Sequence, residues 1–328
     1  MNFMKKILLY ISLFFVVLIV GGVFLSTKDS QSVVEEHPSV LSMTRSIDFP
    51  QEIEFAGEKV DLERYDMHER FDREINAFTY LHSTTLLLIK KANRYFPIIE
   101  PILRKNDIPE DFKYLAVIES SLNPRAVSSA GAAGLWQFMP KTAPGYGLEV
   151  GTDVDERYSV EKSTEAACKY FKEAYAKYGK WSDVALSYNA GQGRVTGEKD
   201  KQQADNGLDL WLVEETTRYY FRMLAVKEVM ENPYKYGFVL EAHHLYKPIE
   251  FDEVEVSSSI ADLTTFAKEK EISYAQLKDF NSWLRTRKLT IPEKTKKTYT
   301  ILIPKQSSLY YKKGEKIKVH DKRWIKHG

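Results

Sequence analysis

The stretch YLAVIESSLNPRAVSSAGAAGLWQFMP, residues 114–140, places an acidic residue inside a segment that has the apolar spacing of a helix. In a helix, Glu119 shares a face with Leu115 and Leu122, four residues before it and three after it. A carboxylate on an apolar face is partly desolvated, which raises its pKa and suits it to general acid catalysis near neutral pH. The alternative is a glutamate at a fraying helix end that points to water, and the helix pattern by itself favours that alternative.

The residues after this helix leave it through Asn-Pro and form a segment of Ser, Ala and Gly. Its two glycines let a ligand approach the backbone closely. Trp136 and its apolar neighbours offer surface for packing, while Ser128 and Gln137 offer hydrogen-bonding groups. Concave sites of this composition suit sugars. The alternative is a glycine-rich turn beneath a core tryptophan.

Composition excludes several function classes. The 328 residues favour two domains, and the 47 basic residues almost equal the 46 acidic ones. A nucleic-acid-binding domain usually carries a basic excess, so nucleic acid is not an expected partner. The single cysteine, Cys168, excludes a disulfide framework, and we predict it to be a small buried core residue. The seven histidines are scattered and no phosphate-binding loop follows a strand, so we predict no metal and no cofactor.

The N-terminus has the pattern of an export signal. Lys5 and Lys6 precede 19 residues without a charge, which is long enough to span a bilayer. Residues 1–25 are therefore predicted to be a signal anchor or a signal peptide, and the lack of an Ala-x-Ala-like site favours an uncleaved membrane helix. The positive N-terminal side places the rest of the chain outside the cytoplasm, in the cell envelope on the periplasmic side.

Residues 26–60 are polar and patternless, which predicts a linker. The pattern of residues 61–240 is helical and predicts the main domain. One helix is expected to begin near Ser83 and to end at Pro97, and another is expected to be capped by Ser182.

Residues 246–305 alternate as strand, helix, helix and strand, which predicts a small second domain of α+β type. The tail, residues 306–328, follows. From Lys305 onward the chain holds eight Lys or Arg against two acids. A solvated end is the favoured interpretation, and contact with an anionic envelope surface is the alternative.

Three ordered motifs now point to a family. ESSLNPRAVSSAGAAGLWQFMPKTAPGYGL, then ALSYNAGQGRV at 185–195 and ETTRY at 215–219, resemble the signature of the lytic transglycosylases related to goose-type lysozyme, which cleave bacterial peptidoglycan. With NDIPEDFKYLA upstream, the match resembles the membrane-bound lytic murein transglycosylase D branch. The resemblance implies a mainly α chain with a lysozyme-like helical catalytic domain.

The same resemblance implies roles for individual residues. Glu119 matches the single catalytic acid/base. The residues that match substrate-binding positions are Ser128, Gln137, Met139, Tyr188, Glu215 and Tyr219. Within this set, Tyr188 matches a tyrosine near the scissile bond and Glu215 an acid that contacts a bound amino sugar. The structural alternatives are that Met139 is plain core, that Gln137 only ties down its loop and that Tyr219 is packing.

The small second domain resembles a LysM module, which binds N-acetylglucosamine polymers. The helix pair in IADLTTFAKEKEISYAQLKDFNSWL ends at Asn281 as in that family, and YTILIP fits the last strand. Two features depart from the family pattern. SSSIADL replaces the usual Gly-Asp-Thr-Leu opening, and the glycine before the last strand is missing.

Most glycosidases use two carboxylates, but no second acid follows Glu119 within its motif. One acid suffices if the muramic acid ring supplies its own nucleophile. We therefore predict a peptidoglycan lytic transglycosylase that cleaves the β-1,4 bond between N-acetylmuramic acid and N-acetylglucosamine and forms a 1,6-anhydro end. The alternatives are a hydrolytic muramidase of the same fold and a non-catalytic peptidoglycan-binding or scaffold protein. The expected partners are glycan strands and, through the N-terminal helix, the membrane; protein partners are not readable from the sequence.

Overall fold

The computed structural model of the chain describes residues 45–294 and 296–326. The helices and strands of these residues, in chain order, are β1 (Glu52–Phe55), β2 (Glu58–Asp61), α1 (Tyr65–Tyr80), α2 (His82–Lys105), α3 (Lys113–Ser120), α4 (Val160–Tyr178), α5 (Trp181–Ala190), α6 (Gln192–Gln202), α7 (Glu214–Glu231), β3 (Phe251–Val256), α8 (Leu263–Glu269), α9 (Tyr274–Phe280) and β4 (Tyr299–Pro304). The mainly helical prediction is confirmed for this part of the chain. The predicted membrane helix lies outside the described residues, and none of the described helices is long and apolar enough to cross a membrane.

The linker predicted for residues 26–60 is wrong for its last part. Strands β1 and β2 pair as an antiparallel hairpin. Phe55 of β1 is fully buried and packs edge-on against the rings of Phe112 and Tyr220, at centroid distances of 5.3 and 5.7 Å. Alternation in EIEF places two apolar side chains on one face, and the helical core buries that face.

The same hairpin caps helix α5, which carries Tyr188. The carboxylate of Glu58 accepts hydrogen bonds from the backbone N–H groups of Trp181 and Ser182, at 2.5 and 3.0 Å. The predicted Ser182 cap is wrong, because the helix begins at Trp181 and Ser182 lies in its first turn. A carboxylate from a distant strand satisfies the free N–H groups and complements the positive end of the helix.

The predicted helix end at Pro97 is also wrong. Helix α2 runs through Pro97 and Pro101 to Lys105. An internal proline costs about 3 kcal/mol because it removes a backbone hydrogen bond. Ile99 and Leu103 on the far side of Pro97 are fully buried, and α2 packs along α4. Burial on both sides of the prolines holds one continuous helix.

Helix α7 lies at the centre of the catalytic core. It packs against α1, α3 and α5, and most of its residues are buried. Trp136 is fully buried beside it and donates its indole N–H to Thr164 Oγ1 of α4, at 2.8 Å. The tryptophan of the predicted sugar loop is therefore the core anchor of that loop. Cys168 is fully buried, as predicted.

The C-terminal module has the predicted order of strand, helix, helix and strand. Strands β3 and β4 pair antiparallel, and Asn281 is fully buried beneath them. Its amide donates to the carbonyl of Leu302 at 2.7 Å and accepts from the N–H of the same residue at 2.8 Å. This amide bonds to the backbone of β4 as a neighbouring strand would, which explains an asparagine at the end of the helix pair.

The module and the catalytic domain belong to one compact unit that starts at Ser46. Backbone hydrogen bonds join Asp155 to Trp283 at 2.9 Å and Arg285 to Asp153 at 2.8 Å. Ala133 of the glycine-rich loop is buried in the apolar core of the module. The module therefore supports the loop that follows Glu119.

The expected solvated tail is wrong for residues 317–326. Trp324 is 2% exposed and lies 5.8 Å from the ring of Phe96. His320 Nε2 lies 2.8 Å from a carboxylate oxygen of Glu100, and the N–H of Lys326 donates to the Leu240 carbonyl at 2.9 Å. The tail carries apolar residues between its lysines, and they pack on the catalytic domain.

Candidate active site

Glu119 is the penultimate residue of α3, and it is the one residue of this helix that is only partly buried. The helix ends at Ser120, and the next two residues, Ser121 and Leu122, adopt left-handed backbone angles, with φ of 53° and 52°. Such angles are unfavourable for residues with a side chain and persist where the surroundings impose them. Leu115 and Leu122 are buried, as the predicted apolar face requires.

The carboxyl group of Glu119 is held in a setting that favours its protonated form. Burial raises the pKa of Glu119 from its ordinary value of 4.5 to about 7. A hydrogen bond from Tyr219 Oη and the charge of Arg222 lower this pKa, while the charge of Glu215 raises it. The group is therefore partly protonated at neutral pH, as a general acid requires.

Tyr188 is fixed beside this carboxyl group. Its hydroxyl donates to the backbone carbonyl of Trp136 at 2.7 Å, and its ring lies 5.0 Å from Tyr170 and 5.4 Å from Phe171. Burial, and then the charge of Glu119, hold the pKa of Tyr188 well above its ordinary value. The phenol stays protonated and ties the loop that carries Trp136 to α5.

The glycine-rich loop is clamped by a buried ion pair that the sequence reasoning missed. The guanidinium of Arg157 bonds Asp155 at 2.7 Å and donates to the carbonyls of Gly131 and Phe138, at 2.9 and 3.1 Å. Gly134 has φ +80°, and a Cβ there would lie 1.7 Å from the Arg157 carbonyl oxygen. The glycine therefore permits close packing against this clamp rather than access for a ligand.

Gln137 and Ser128 act mainly within the loop. The Gln137 side-chain amide donates to the Gly134 carbonyl at 2.8 Å, and Gln137 has a positive φ of 50°. Ser128 is exposed, and its hydroxyl accepts from the N–H of Ala132 at 3.0 Å. The alternative that Gln137 ties down the loop thus has direct geometric support.

An aromatic cavity of about 510 Å³ opens at Tyr188. Tyr188, Gln137 and Met139 line it together, and Met139 is 41% exposed rather than core. Tyr146 and Asn189 add further polar groups to its wall. The cavity has the size and the mixed apolar and hydrogen-bonding lining of a sugar site.

A charged cavity of about 390 Å³ is lined by Glu215, Arg222 and further charged residues of α1 and α7. Arg222 is the second residue that the sequence reasoning missed, although it follows Tyr219 by three positions and so shares its helix face. The charges of Glu215 and Arg222 shift the pKa of Glu119, and the charge of Glu119 adds to the rise that burial causes in the pKa of Tyr188. Glu119 is therefore close enough to residues of both cavities for their charges to interact.

The structure thus brings most of the predicted site together. Tyr219 is 3% exposed, so it packs in the core, which was the structural alternative for this residue. Its hydroxyl also donates a hydrogen bond to Glu119. Ser128, by contrast, bonds to Gly131 and Ala132 of its own turn. Across the described part of the chain, no cluster of three metal-ligating side chains occurs. A single protonated carboxyl group near residues of both cavities can deliver a proton to a bound oxygen.

Comparisons with known proteins agree with this geometry. Residues 96–210 match the family model of the transglycosylase SLT domain, and residues 252–307 match that of the soluble lytic transglycosylase C-terminal LysM-like domain. The two matched ranges follow each other in the order expected from the sequence.

Two curated relatives are named as lytic enzymes. Membrane-bound lytic murein transglycosylase D of Escherichia coli is 29% identical over 70% of this chain and 51% of its own length. Membrane-bound lytic murein transglycosylase F of Yersinia enterocolitica is 25% identical over 74% of this chain and 50% of its own length. The chain spans about half the length of these relatives. A solved structure, the 70 kDa soluble lytic transglycosylase of Escherichia coli, matches 49% of this chain and 30% of its own, with 19% identity and a TM-score of 0.39.

Proposed function

We propose that this chain is a peptidoglycan lytic transglycosylase that cleaves the β-1,4 bond between N-acetylmuramic acid and N-acetylglucosamine. The observation that carries the proposal is Glu119, whose raised pKa of about 7 occurs within a matched transglycosylase SLT domain. The same match supports a lysozyme-like arrangement of the catalytic helices.

Glu119 performs both proton transfers. Its carboxyl group first donates a proton to the glycosidic oxygen as the bond from that oxygen to C1 of the muramic acid breaks. The C6 hydroxyl of the same ring then attacks C1, and the Glu119 carboxylate takes the hydroxyl proton. The acid is restored, no water is consumed, and the product ends in a 1,6-anhydro ring. Sharing one group between the two steps requires a pKa near the working pH, because each step needs the opposite protonation state.

Neighbouring residues support this cycle. Tyr219 donates a hydrogen bond to Glu119 and stabilises the carboxylate that forms after the first transfer. The positive charge of Arg222 also lowers the pKa of Glu119 and so stabilises its carboxylate form. We assign substrate contacts to Tyr188, Gln137 and Met139 in the aromatic cavity and to Glu215 in the charged one, and we keep Ser128 as a contact at the exposed end of the loop.

We further propose that the enzyme acts in the cell envelope, outside the cytoplasm, with residues 1–25 as its membrane anchor. The charge pattern of that segment supports this orientation, and the names of the two relatives describe membrane-bound proteins. Extraction of cell membranes with high salt and with detergent tests the anchor, since an anchored chain leaves the membrane only in detergent.

Mass spectrometry of the products released from purified peptidoglycan tests the activity. Wild-type protein is expected to release muropeptides lighter by one water than reducing ones. Glu119→Gln is expected to lose about 10²–10⁴-fold in rate, the usual contribution of a general acid. Glu69→Gln, at an exposed position of α1, is the matched control and should keep full activity. Reducing products would assign hydrolysis instead, and no release by folded wild-type protein would leave glycan binding as the function.

A further inference from the structure

A second large cavity lies between the catalytic domain and the C-terminal module. Its volume is about 480 Å³, and both domains contribute walls. Tyr95 of α2 and Glu161 of α4 line it from the catalytic side, while Phe251, Glu253 and Phe280 line it from the module. We call it the interdomain cavity. It is within the usual size range of small-ligand sites and is separate from both cavities beside Glu119.

Aromatic rings form much of the wall of the interdomain cavity. Phe251 and Phe280 meet edge to face at a centroid distance of 5.1 Å, and both remain partly exposed. Tyr95 is also half-buried at this cavity. Ring faces of this kind hold an apolar stem by packing and attract a cation through their π-electrons.

Two carboxylates of this cavity lack a cationic partner. Neither Glu161 nor Glu253 forms an ion pair within the described part of the chain. Burial raises the pKa of Glu161, and the like charge of Glu253 adds to that rise. A half-buried carboxylate that faces a second one is unfavourable unless a cation joins them.

The basic side chains at the cavity do not supply that cation. Arg94 donates to the Lys247 carbonyl at 3.1 Å and stacks over the ring of Tyr246. Lys162 is exposed and is not among the charges that act on Glu161. The third acid of the lining, Asp279, is already paired with an arginine at 2.7 Å. The positive end of α4 offsets part of the charge of Glu161. No cationic side chain of the cavity pairs with this carboxylate, which lies next to aromatic surface.

We propose that the interdomain cavity binds an organic primary ammonium carried on an unbranched apolar stem. The stem packs against Phe251 and Phe280, and the ammonium group bonds Glu161 at one end of the cavity. Two sources offer this chemistry, namely the side chain of a diamino acid in a peptide and a free aliphatic diamine. The proposal does not depend on the proposed enzymatic function, because binding is measured without turnover.

Isothermal titration calorimetry of the full chain tests this site with three probes. Nα-acetyl-lysine methylamide and 1,5-diaminopentane carry the ammonium, and Nα-acetyl-norleucine methylamide has the same stem without it. Saturable binding of an ammonium probe, with none of the norleucine probe, supports the site. Binding of the lysine probe alone assigns a peptide source, and binding of the diamine alone assigns a free diamine.

The matched variants are Glu161→Gln and Glu69→Gln. Loss of a charged hydrogen bond costs about 1.5–3 kcal/mol, so Glu161→Gln should weaken binding by about tenfold or more. Glu69→Gln should leave it unchanged, and a circular dichroism spectrum and thermal unfolding curve of Glu161→Gln that match the wild type would show that the variant is folded. Equal binding of the norleucine probe, equal binding by Glu161→Gln, or no binding of either ammonium probe would overturn the proposal.

Discussion

Replacement of Glu119 by glutamine should make the protein more stable at high pH. Burial raises the pKa of Glu119 from 4.5 to about 7, so the folded state holds its proton more tightly than the unfolded chain does. Below the unfolded pKa the group is neutral in both states and carries no penalty. As the pH rises through the folded pKa, the wild-type protein must hold a desolvated charge, and its stability falls. Glutamine never carries that charge and still accepts a hydrogen bond from Tyr219.

The magnitude follows from the size of the shift. One pKa unit corresponds to about 1.4 kcal/mol, so a rise from 4.5 to about 7 gives an upper limit of about 3.5 kcal/mol for the gain from Glu119→Gln. The gain should be complete above about pH 8 and absent below about pH 4.5.

Urea unfolding curves, measured by circular dichroism across this pH range, test the prediction. Glu69→Gln is again the control, because substitution of an exposed glutamate should change the unfolding free energy by less than about 0.5 kcal/mol. A Glu119→Gln gain that is constant with pH would show that packing, rather than the desolvated charge, is responsible. A loss of stability at high pH would refute the account of the site.

Two further predictions concern the surroundings of Glu119. Tyr219→Phe removes the hydrogen bond that lowers the pKa of Glu119, so carboxyl NMR should show a pKa higher by about 1–2 units, the equivalent of about 1.5–3 kcal/mol. Tyr220→Phe, which removes a buried hydroxyl that has no partner among the described residues, should leave that titration unchanged; equal shifts in both variants would argue against the direct bond. In thermal melts, Gly131→Ala should lower the free energy of unfolding by about 1–2 kcal/mol, because the φ of +84° is unfavourable for alanine although an added Cβ would meet no atom within 4 Å. Gly134→Ala should cost at least about 2 kcal/mol more because its Cβ meets a backbone carbonyl, and equal losses would contradict the close packing of the loop.

The glycine-rich loop shows how a correct motif can receive an incomplete physical explanation. From the sequence, its glycines were expected to let a ligand approach the backbone closely. In the structure Gly134 instead fits against the Arg157 carbonyl, and the Arg157 side chain holds the loop on both sides. That clamp joins residues more than 15 positions apart, and no local pattern marks it.

The sequence by itself determined the helical class, the strand-helix-helix-strand order of the module and the placement of Glu119 on an apolar helix face. These features depend on periodicity and composition within short windows, which the chain carries locally. The helix through Pro97, the hairpin at residues 52–61 and the buried Trp324 depended on distant partners that outweigh local preference.

Only the tertiary structure decided the state of the catalytic candidate. Tyr219 bonds Glu119 across 100 positions of sequence. The residues that bury Glu119 likewise come from separate helices. A pKa depends on solvent exclusion and on charges within a few ångströms, and those distances exist only after the chain has folded.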